Sequence, residues 1–405
     1  MRNISNAMNL RLGPPVTADN FYPRPALIAR ILRALERGNV AFLGPRRTGK
    51  TSCLKAILSN PPTGYVPILL NLEKHDTVTA WLTDMVTAVR RELDKPGPKA
   101  PWLLQHSGAF LKRIEQIQVM GTGITLAAAH DPHPWRGLAD EFLNLLKESN
   151  APFLFLLDEF PAFLNLVALK TSREEVEAVL NWFRSARHEL IDRATRFLVT
   201  GSIGLQGVVR RLNLSPSIND FDTLEIPPLA DGEALNLLER LAKDNNVPLD
   251  DRGCRQILDL VGANWPILLQ LFICEIQDES FKRAPTRFQL DHLYRKRVVS
   301  GNRNEYCYSM FTRLKQAFSE SECRLAREIL KTLCRSNHDL TREDFEAIHA
   351  RVVPDATQRA LLGDELDYVL DTLKHDGYLL QEVAGEQRTR FASNILRDYW
   401  LRKTA

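Results

Sequence analysis

The residues Gly44 to Ser52 read GPRRTGKTS. They follow the apolar run NVAFL and precede CLKAILSN. The spacing Gly44-x-x-x-x-Gly49-Lys50-Thr51 fits the template of a loop that wraps an anion between a buried strand and a helix. Val40 to Leu43 read as the strand, and Ser52 to Leu58 as the helix. Glycine supplies the positive φ values and close backbone approach that such a turn needs. The loop N–H groups of Gly44, Pro45, Arg46, Arg47, Thr48 and Gly49, less that of the proline, join the open helix N-terminus in facing a β-phosphate. Lys50 is placed to reach β- and γ-phosphates, and the Thr51 hydroxyl to ligate Mg²⁺, with Ser52 beside it.

A phosphate loop of this kind predicts a second buried strand, ending in acid, on the same parallel sheet. FLFLLDEF, Phe153 to Phe160, supplies it. Five apolar residues in a row suit a central strand covered on both faces. Asp158 at its carboxyl end is the candidate to hold Mg²⁺, directly or through water. Glu159 is the candidate general base that polarises an attacking water. The expected chemistry is phosphoanhydride hydrolysis with a nucleotide and Mg²⁺ as cofactors.

The bulk composition fits an ordinary soluble globular protein. The chain has 405 residues, 44% hydrophobic and 25% charged, enough for one oversized domain or two to three ordinary ones. A net charge of +3 does not compel a nucleic-acid partner. The six cysteines form no CxxC pair, and the N-terminus lacks a long apolar core. Reduced thiols and a cytoplasmic location are expected. No uninterrupted apolar run approaches the ~18 residues that span a bilayer, so no membrane partner is expected. His130 and His133 in HDPHPW offer a metal pair, but no second cluster stands near them in sequence, and a surface loop is the preferred reading.

Outward from the two motifs, strands and helices alternate from about Thr17 to Pro228. VPILLNLE (Val66–Glu73) reads as a strand, Val78–Leu93 as a helix, and DKPGPKAPW as a break. IQVMGTGITLAAA reads as a small hairpin within an inserted segment at about 96–133. A helix over Pro134–Ser149 leads into the Asp158 strand, and a helix over Arg173–Ile191 leads into TRFLVTGS (Thr195–Ser202). DTLEIPPL closes the block. Such alternation means an α/β fold, a parallel sheet with helices on both faces and ligands at the strands' carboxyl ends. Thr200 or Ser202, at the polar end of FLVTGS, is therefore placed beside a γ-phosphate as a sensor, or caps the following turn.

Residues 229–280 read as a small helical lid. Asp231 reads as an N-cap, and Pro266 either contacts the base of the nucleotide or simply begins its helix. Residues 281–318 form a basic helical connector, and 319–405 read as helices followed by two strands with a turn at Gly385: a winged helix. Residues 281–335 carry thirteen Lys/Arg against five Asp/Glu, net +8. That charge favours duplex DNA only weakly, since such runs are usually solvated faces.

FLGPRRTGKTS, LLDEFPAFL, LVTGSIGL, WPILLQLF and RFASNILRDYW together resemble the archaeal and bacterial ATPases of the STAND group within the AAA+ class. The resemblance runs from about Phe21 to Trp400. It implies a P-loop NTPase core, a helical lid, a C-terminal winged helix, and adenine as the base. It also implies a switch, in which ATP holds one conformation and hydrolysis or exchange resets it. Such members carry an N-terminal FxxR segment near the adenine, here Phe21 and Arg24, although Arg24 equally suits a structural ion pair. A trans-acting arginine often completes the γ-phosphate site in this class; Arg210 and Arg211 are the first candidates, Arg184 and Arg187 the runners-up. Three functions are implied: a hydrolysing switch that assembles with itself or a protein partner, possible settings including antiphage defence; a DNA-binding ATPase of the origin-recognition or transposition-loader type; and a non-hydrolysing scaffold. The intact Glu159 argues against the last.

Overall fold

The computed structural model describes residues 7–16, 20–95, 110–120, 133–202, 205–212, 214–300, 304–336, 338–362, 364–381 and 388–404. They form two compact bodies. The first comprises Arg24–Leu43 and Lys50–Ile226; the second comprises the N-terminal residues to Pro23, the loop Gly44–Gly49, and Pro227 onward.

The first body is a three-layer α/β sandwich. Its five strands are β1 (Val40–Leu43), β2 (Val66–Asn71), β3 (Phe153–Asp158), β4 (Arg196–Gly201) and β5 (Asp222–Glu225), in the order β2-β3-β4-β1-β5. Every pairing is parallel. The helices are α1 (Pro25–Arg37), α2 (Lys50–Ser59), α3 (Val78–Asp94), α4 (110–120), α5 (Arg136–Ser149), α6 (Phe160–Lys170), α7 (Arg173–Glu189) and α8 (Leu205–Arg211). All residues of β1 and β3 are buried, as a strand covered on both faces requires. Local chemistry sets the helix starts. Pro25 opens α1, where its missing N–H costs nothing. Thr77 caps α3, and Ser172 caps α7 by accepting from the Glu175 N–H. Arg187 and His188 sit in the last turn of α7, complementing its dipole. Trp81 of α3 anchors the core, in ring contact with Phe160, Phe163, Trp182 and Phe183.

The second body is mostly helical. α9 (Asp231–Asp244), α10 (Asp251–Val261) and α11 (Pro266–Asp278) are followed by α12 (Arg287–Leu293), a π turn over Tyr294–Val298, α13 (Glu305–Thr312) and α14 (Leu314–Ala317). α15 (Glu320–Arg335), α16 (Arg342–Val352), α17 (Ala356–Leu362) and α18 (Glu365–His375) lead to an antiparallel pair, β6 (Leu379–Gln381) and β7 (Thr389–Phe391), and then α19 (Asn394–Thr404). Reciprocal capping boxes start α15 (Ser319, Glu322) and α16 (Thr341, Asp344).

The structure changes several details. Residues 117–120 finish α4, so the expected hairpin does not begin there; the remainder of that segment, with His130, lies outside the described residues, as does Gly385. The N-cap of α9 is Ala230, not Asp231, because Glu233 folds back to accept from the Ala230 N–H. The six cysteines are free thiols, all buried except half-buried Cys274. Among the described residues, no helix is long and apolar enough to cross a membrane.

Candidate functional site

Strand register builds the site. β4 lies between β1 and β3, with Leu43 opposite Gly201 and Leu157 opposite Val199. The next residues on β3 and β4 are therefore Asp158 and Thr200, side by side at the carboxyl edge of the sheet. The Thr200 hydroxyl, fully buried, donates to Asp158 Oδ1. Thr51, in the first turn of α2, donates its hydroxyl to Asp158 Oδ2 at 2.7 Å. Both oxygens of the buried carboxylate thus face hydroxyls, and Thr51 brings the loop-bearing helix against the acid strand. Asn71 lies opposite Asp158 on the other side, but its side chain is committed to the Glu73 N–H.

The loop itself has the backbone that its glycines permit. Gly44 has φ 144° and Gly49 φ 104°, both in territory that disfavours a side chain. Arg47 also sits at positive φ, 62°, and its guanidinium donates to the Leu12 carbonyl. The Thr48 hydroxyl closes the turn on the Pro45 carbonyl at 2.7 Å. Arg46 is exposed, while Lys50 and Ser52 are buried at the start of α2, as is Cys53. Burial pushes the Cys53 thiol up to about 11, against the opposing charges of Arg24 and Lys50. Arg24, buried as the N-cap residue of α1, is therefore close enough for its charge to be felt at α2.

Glu159 has an unusual backbone, φ 59° and ψ 38°, as the N-cap of α6. Left-handed geometry in a residue that is neither glycine nor asparagine costs energy and is over-represented at functional sites. Its Oε2 accepts two bonds from Ser202, from the N–H at 3.2 Å and the hydroxyl at 3.0 Å. Thr200 within β4 and Ser202 just beyond it thus divide between the two acids, Thr200 to Asp158 and Ser202 to Glu159. The sequence offered Thr200 or Ser202 as a neighbour of a phosphate, or as the cap of the following turn; it gave no sign that they would contact the acids, a juxtaposition set by strand order.

The arginine candidates separate. Arg187 is 0% exposed. It donates to both Asp220 oxygens and to the Ser217 carbonyl, each at 2.7 Å, with Phe183 and Phe221 over its faces. It is a structural ion pair and cannot reach a neighbouring molecule, which removes it as a trans-acting candidate. Arg184 is half-buried on the same helix, and Arg210 is exposed on α8; of Arg211 only its backbone position on α8 is described. Pro266 is the first residue of α11, and Phe21 is half-buried. His133 pairs with Glu175, which also accepts from the Trp135 indole at 2.7 Å. Among the described residues, no group of three His, Cys, Asp or Glu could hold a metal.

No family model and no curated protein matches the chain. Solved structures do. Over 96% of this chain and 99% of the other, it is similar to a Walker-type ATPase of Pyrococcus abyssi, with TM-score 0.60 and 15% identity. It also aligns, at 15% identity and TM-score 0.48, with the ORC2 protein of Aeropyrum pernix, over 93% of this chain and 91% of that one. A STAND protein with a tetratricopeptide-repeat sensor from Pyrococcus horikoshii aligns at 14% identity and TM-score 0.36, over 97% of this chain and 44% of that one. The fold is that of the Walker-type, P-loop ATPase of Pyrococcus abyssi, built on a five-stranded parallel sheet.

Proposed function

We propose that the chain binds ATP with Mg²⁺ and hydrolyses it, and that its nucleotide state governs assembly with itself or with a protein partner. The observation that carries this reading is the hydroxyl–carboxylate–hydroxyl arrangement Thr51–Asp158–Thr200, with Glu159 next in sequence after Asp158.

The residues fit the ion. Mg²⁺ takes hard oxygen ligands and usually binds through one or two carboxylates together with substrate phosphates. One carboxylate, Asp158, and one hydroxyl, Thr51, stand 2.7 Å apart, a suitable donor set. Bound there, the ion would neutralise charge developing on the β- and γ-phosphate oxygens. The chain's own residues do the rest. The residues of Gly44 to Gly49 other than Pro45 offer backbone N–H groups to phosphate oxygens, and Lys50 adds a positive charge. Thr200 fixes Asp158, and Glu159 takes the proton of the attacking water. Arg210, exposed on α8, is the candidate to complete the site of an adjacent copy, with Arg211 beside it in sequence. Phe21, Arg24 and Pro266 remain the candidates for the adenine.

The helices α15, α16 and α18 with the β6–β7 pair are read as a winged helix. A DNA-binding role is the second reading, favoured by the net +8 of residues 281–335. One observation counts against it: Arg297, one of the three consecutive cations Arg295–Arg297, is engaged by Glu275 and Glu279. A protein partner is therefore the preferred reading, with antiphage defence as one setting to test.

The test is mass photometry of wild type and Glu159→Gln, with and without ATP–Mg²⁺ and duplex DNA. ATP-dependent particles indifferent to DNA are expected, most abundant in Glu159→Gln. Particles that need both ATP and DNA would move the assignment to the loader reading. Wild-type turnover in Glu159→Gln would remove that residue from the base role.

A further inference from the structure

We infer that Arg47 is a positioning residue that ties the anion loop to an N-terminal strap over Met8–Leu12, so that ATP affinity depends on how α9 and α11 hold the strap. The inference rests on the loop being part of the ATP site proposed above, and it deepens that reading by adding residues 8–12 to the support of the site.

The strap is held by its backbone. The Met8 N–H donates to Asp244 Oδ2 at 2.8 Å, and the Met8 carbonyl accepts from the Asn245 amide at 2.9 Å. Asp244 ends α9 and Asn245 is its C-cap, so one helix end clamps both backbone groups of Met8. The Met8 residue is 2% exposed. Three residues on, the Arg11 N–H donates to Gln270 Oε1 of α11 at 2.9 Å. The Leu12 carbonyl then accepts from Arg47 Nη1 at 3.1 Å. Five consecutive residues thus link two helices to the loop, all within the second body.

Arginine is a costly choice for this backbone. The Arg47 φ of 62° lies in the left-handed region, where glycine is free and a side chain is penalised. Such a conformation persists where the surroundings over-determine it. Two contacts do so here. The Thr48 hydroxyl closes the turn on the Pro45 carbonyl at 2.7 Å, and the Arg47 guanidinium is fastened to the strap. Successive N–H groups around a left-handed residue make an anion-binding concavity. The conformation of Arg47 therefore decides where the loop N–H groups aim. A tether on its side chain biases that conformation before the nucleotide arrives, and preorganisation raises affinity. By linkage the reverse also holds: ATP that fixes the loop steadies the strap.

A direct contact between Arg47 and a phosphate predicts a different pattern. It makes Arg47 matter and leaves the far end of the strap without effect. The tether makes Gln270 and Asp244 matter as well, although both are bonded to the strap and not to the loop.

The experiment uses the full chain with ATP–Mg²⁺ as the probe. ATP affinity and melting temperature are measured on wild type, Arg47→Gly, Gln270→Ala, Asp244→Ala and the double variant Arg47→Gly/Gln270→Ala. Hydrogen exchange across residues 8–12 is followed with and without saturating ATP. Glycine keeps the left-handed backbone and removes only the tether, so Arg47→Gly separates the tether from strain. Its affinity is expected to fall by about tenfold, the lower scale of one lost hydrogen bond to a charged group. Gln270→Ala and Asp244→Ala should each lose about threefold, the scale of a lost bond between strap and helix. The double variant should bind no more weakly than Arg47→Gly, because both changes cut one connection. ATP should slow exchange across residues 8–12 in wild type and leave it unchanged in Arg47→Gly.

An Arg47→Gly protein that binds ATP like wild type overturns the inference. So does a weakened Arg47→Gly beside Gln270→Ala and Asp244→Ala proteins of wild-type affinity, the pattern of a direct phosphate contact. Additive losses in the double variant overturn it too, since they assign the two residues independent structural roles. If Arg47→Gly melts early, the Gln270→Ala and Asp244→Ala affinities and the exchange response of wild type decide the matter. A wild-type protein that shows no ATP binding at all overturns the ATP reading, and the inference falls with it.

Discussion

Removing either partner of the Arg187–Asp220 pair should destabilise the first body severely, while removing both should not. The guanidinium is wholly buried and makes three hydrogen bonds, two to Asp220 and one to the Ser217 carbonyl. Truncating one member of such a pair leaves an uncompensated charge in a low-dielectric setting, at a cost of about 3–5 kcal/mol. For a body of this size, ~1 kcal/mol moves the melting temperature by ~2–4 °C, so Arg187→Ala and Asp220→Ala should each lower it by roughly 6–20 °C. Arg187→Met/Asp220→Leu removes both charges together. It should recover most of that loss, because the desolvation cost disappears with the attraction. Acid adds a second readout. Burial raises the Asp220 pKa, but the Arg187 hydrogen bonds and charge outweigh it and hold the carboxyl below its ordinary 3.8. A depressed folded-state pKa contributes stability that is present above the unfolded value and is lost as pH falls through the folded one. Wild type should therefore lose stability below about pH 4 more steeply than Asp220→Ala, which has no such proton to bind. Differential scanning calorimetry across that range measures both effects. Single variants that melt within about 1 kcal/mol of wild type would match a solvated surface pair and refute the burial argument. They would also reopen Arg187 as a residue able to act on a neighbour.

Lys50→Ala should abolish ATP binding, seen as loss of the ATP-induced rise in melting temperature while the apo protein melts within about 1 kcal/mol of wild type. Thr200→Val leaves Asp158 Oδ1 without its buried donor, a loss of about 1–3 kcal/mol. A Mg²⁺ titration of turnover should show a raised half-saturating concentration, and an unchanged one would separate Thr200 from the metal. Gly377→Ala should destabilise the second body by more than about 1 kcal/mol, since φ there is 79° and a Cβ would stand 2.1 Å from Pro45 Cγ. Because Pro45 belongs to the anion loop, ATP affinity should fall as well; a variant with wild-type melting and affinity would show that the loop and the turn yield freely.

The fold was legible where chain-local physics decides it. Contiguous apolar runs marked β1 and β3 because a doubly covered strand has no polar face to show. Gly44 and Gly49 marked the loop because their backbone angles exclude most other residues. Other features depend on what lies far away in sequence. Ile117 to Met120 look like strand residues in isolation, but Ile114 and Ile117 are buried in the first body's core at helical spacing. Arg187 stands in a helix rich in charge, and nothing nearby announces that Asp220, 33 residues on, will draw it inside. The basic appearance of residues 281–335 likewise omits Glu275 and Glu279, which lie outside that stretch and neutralise Arg297.

The site shows the same division. The position of the acids was legible, because the apolar run before Asp158 marks a buried strand that must end where the polar residues begin. Their state was not, because it depends on β4 standing between β1 and β3. That order sets two hydroxyl residues, two positions apart on one edge, against two consecutive acids of another strand. Thr200 and Ser202 share a face by strand periodicity, whereas Asp158 and Glu159 would point oppositely if the strand continued. It does not continue: Glu159 turns into left-handed backbone, and this brings both carboxylates within reach of the β4 edge. The strained residue is thus what lets one strand end address both Asp158 and Glu159. Thr200 lies within β4, while Ser202 lies beyond it, at the start of the segment leading to α8.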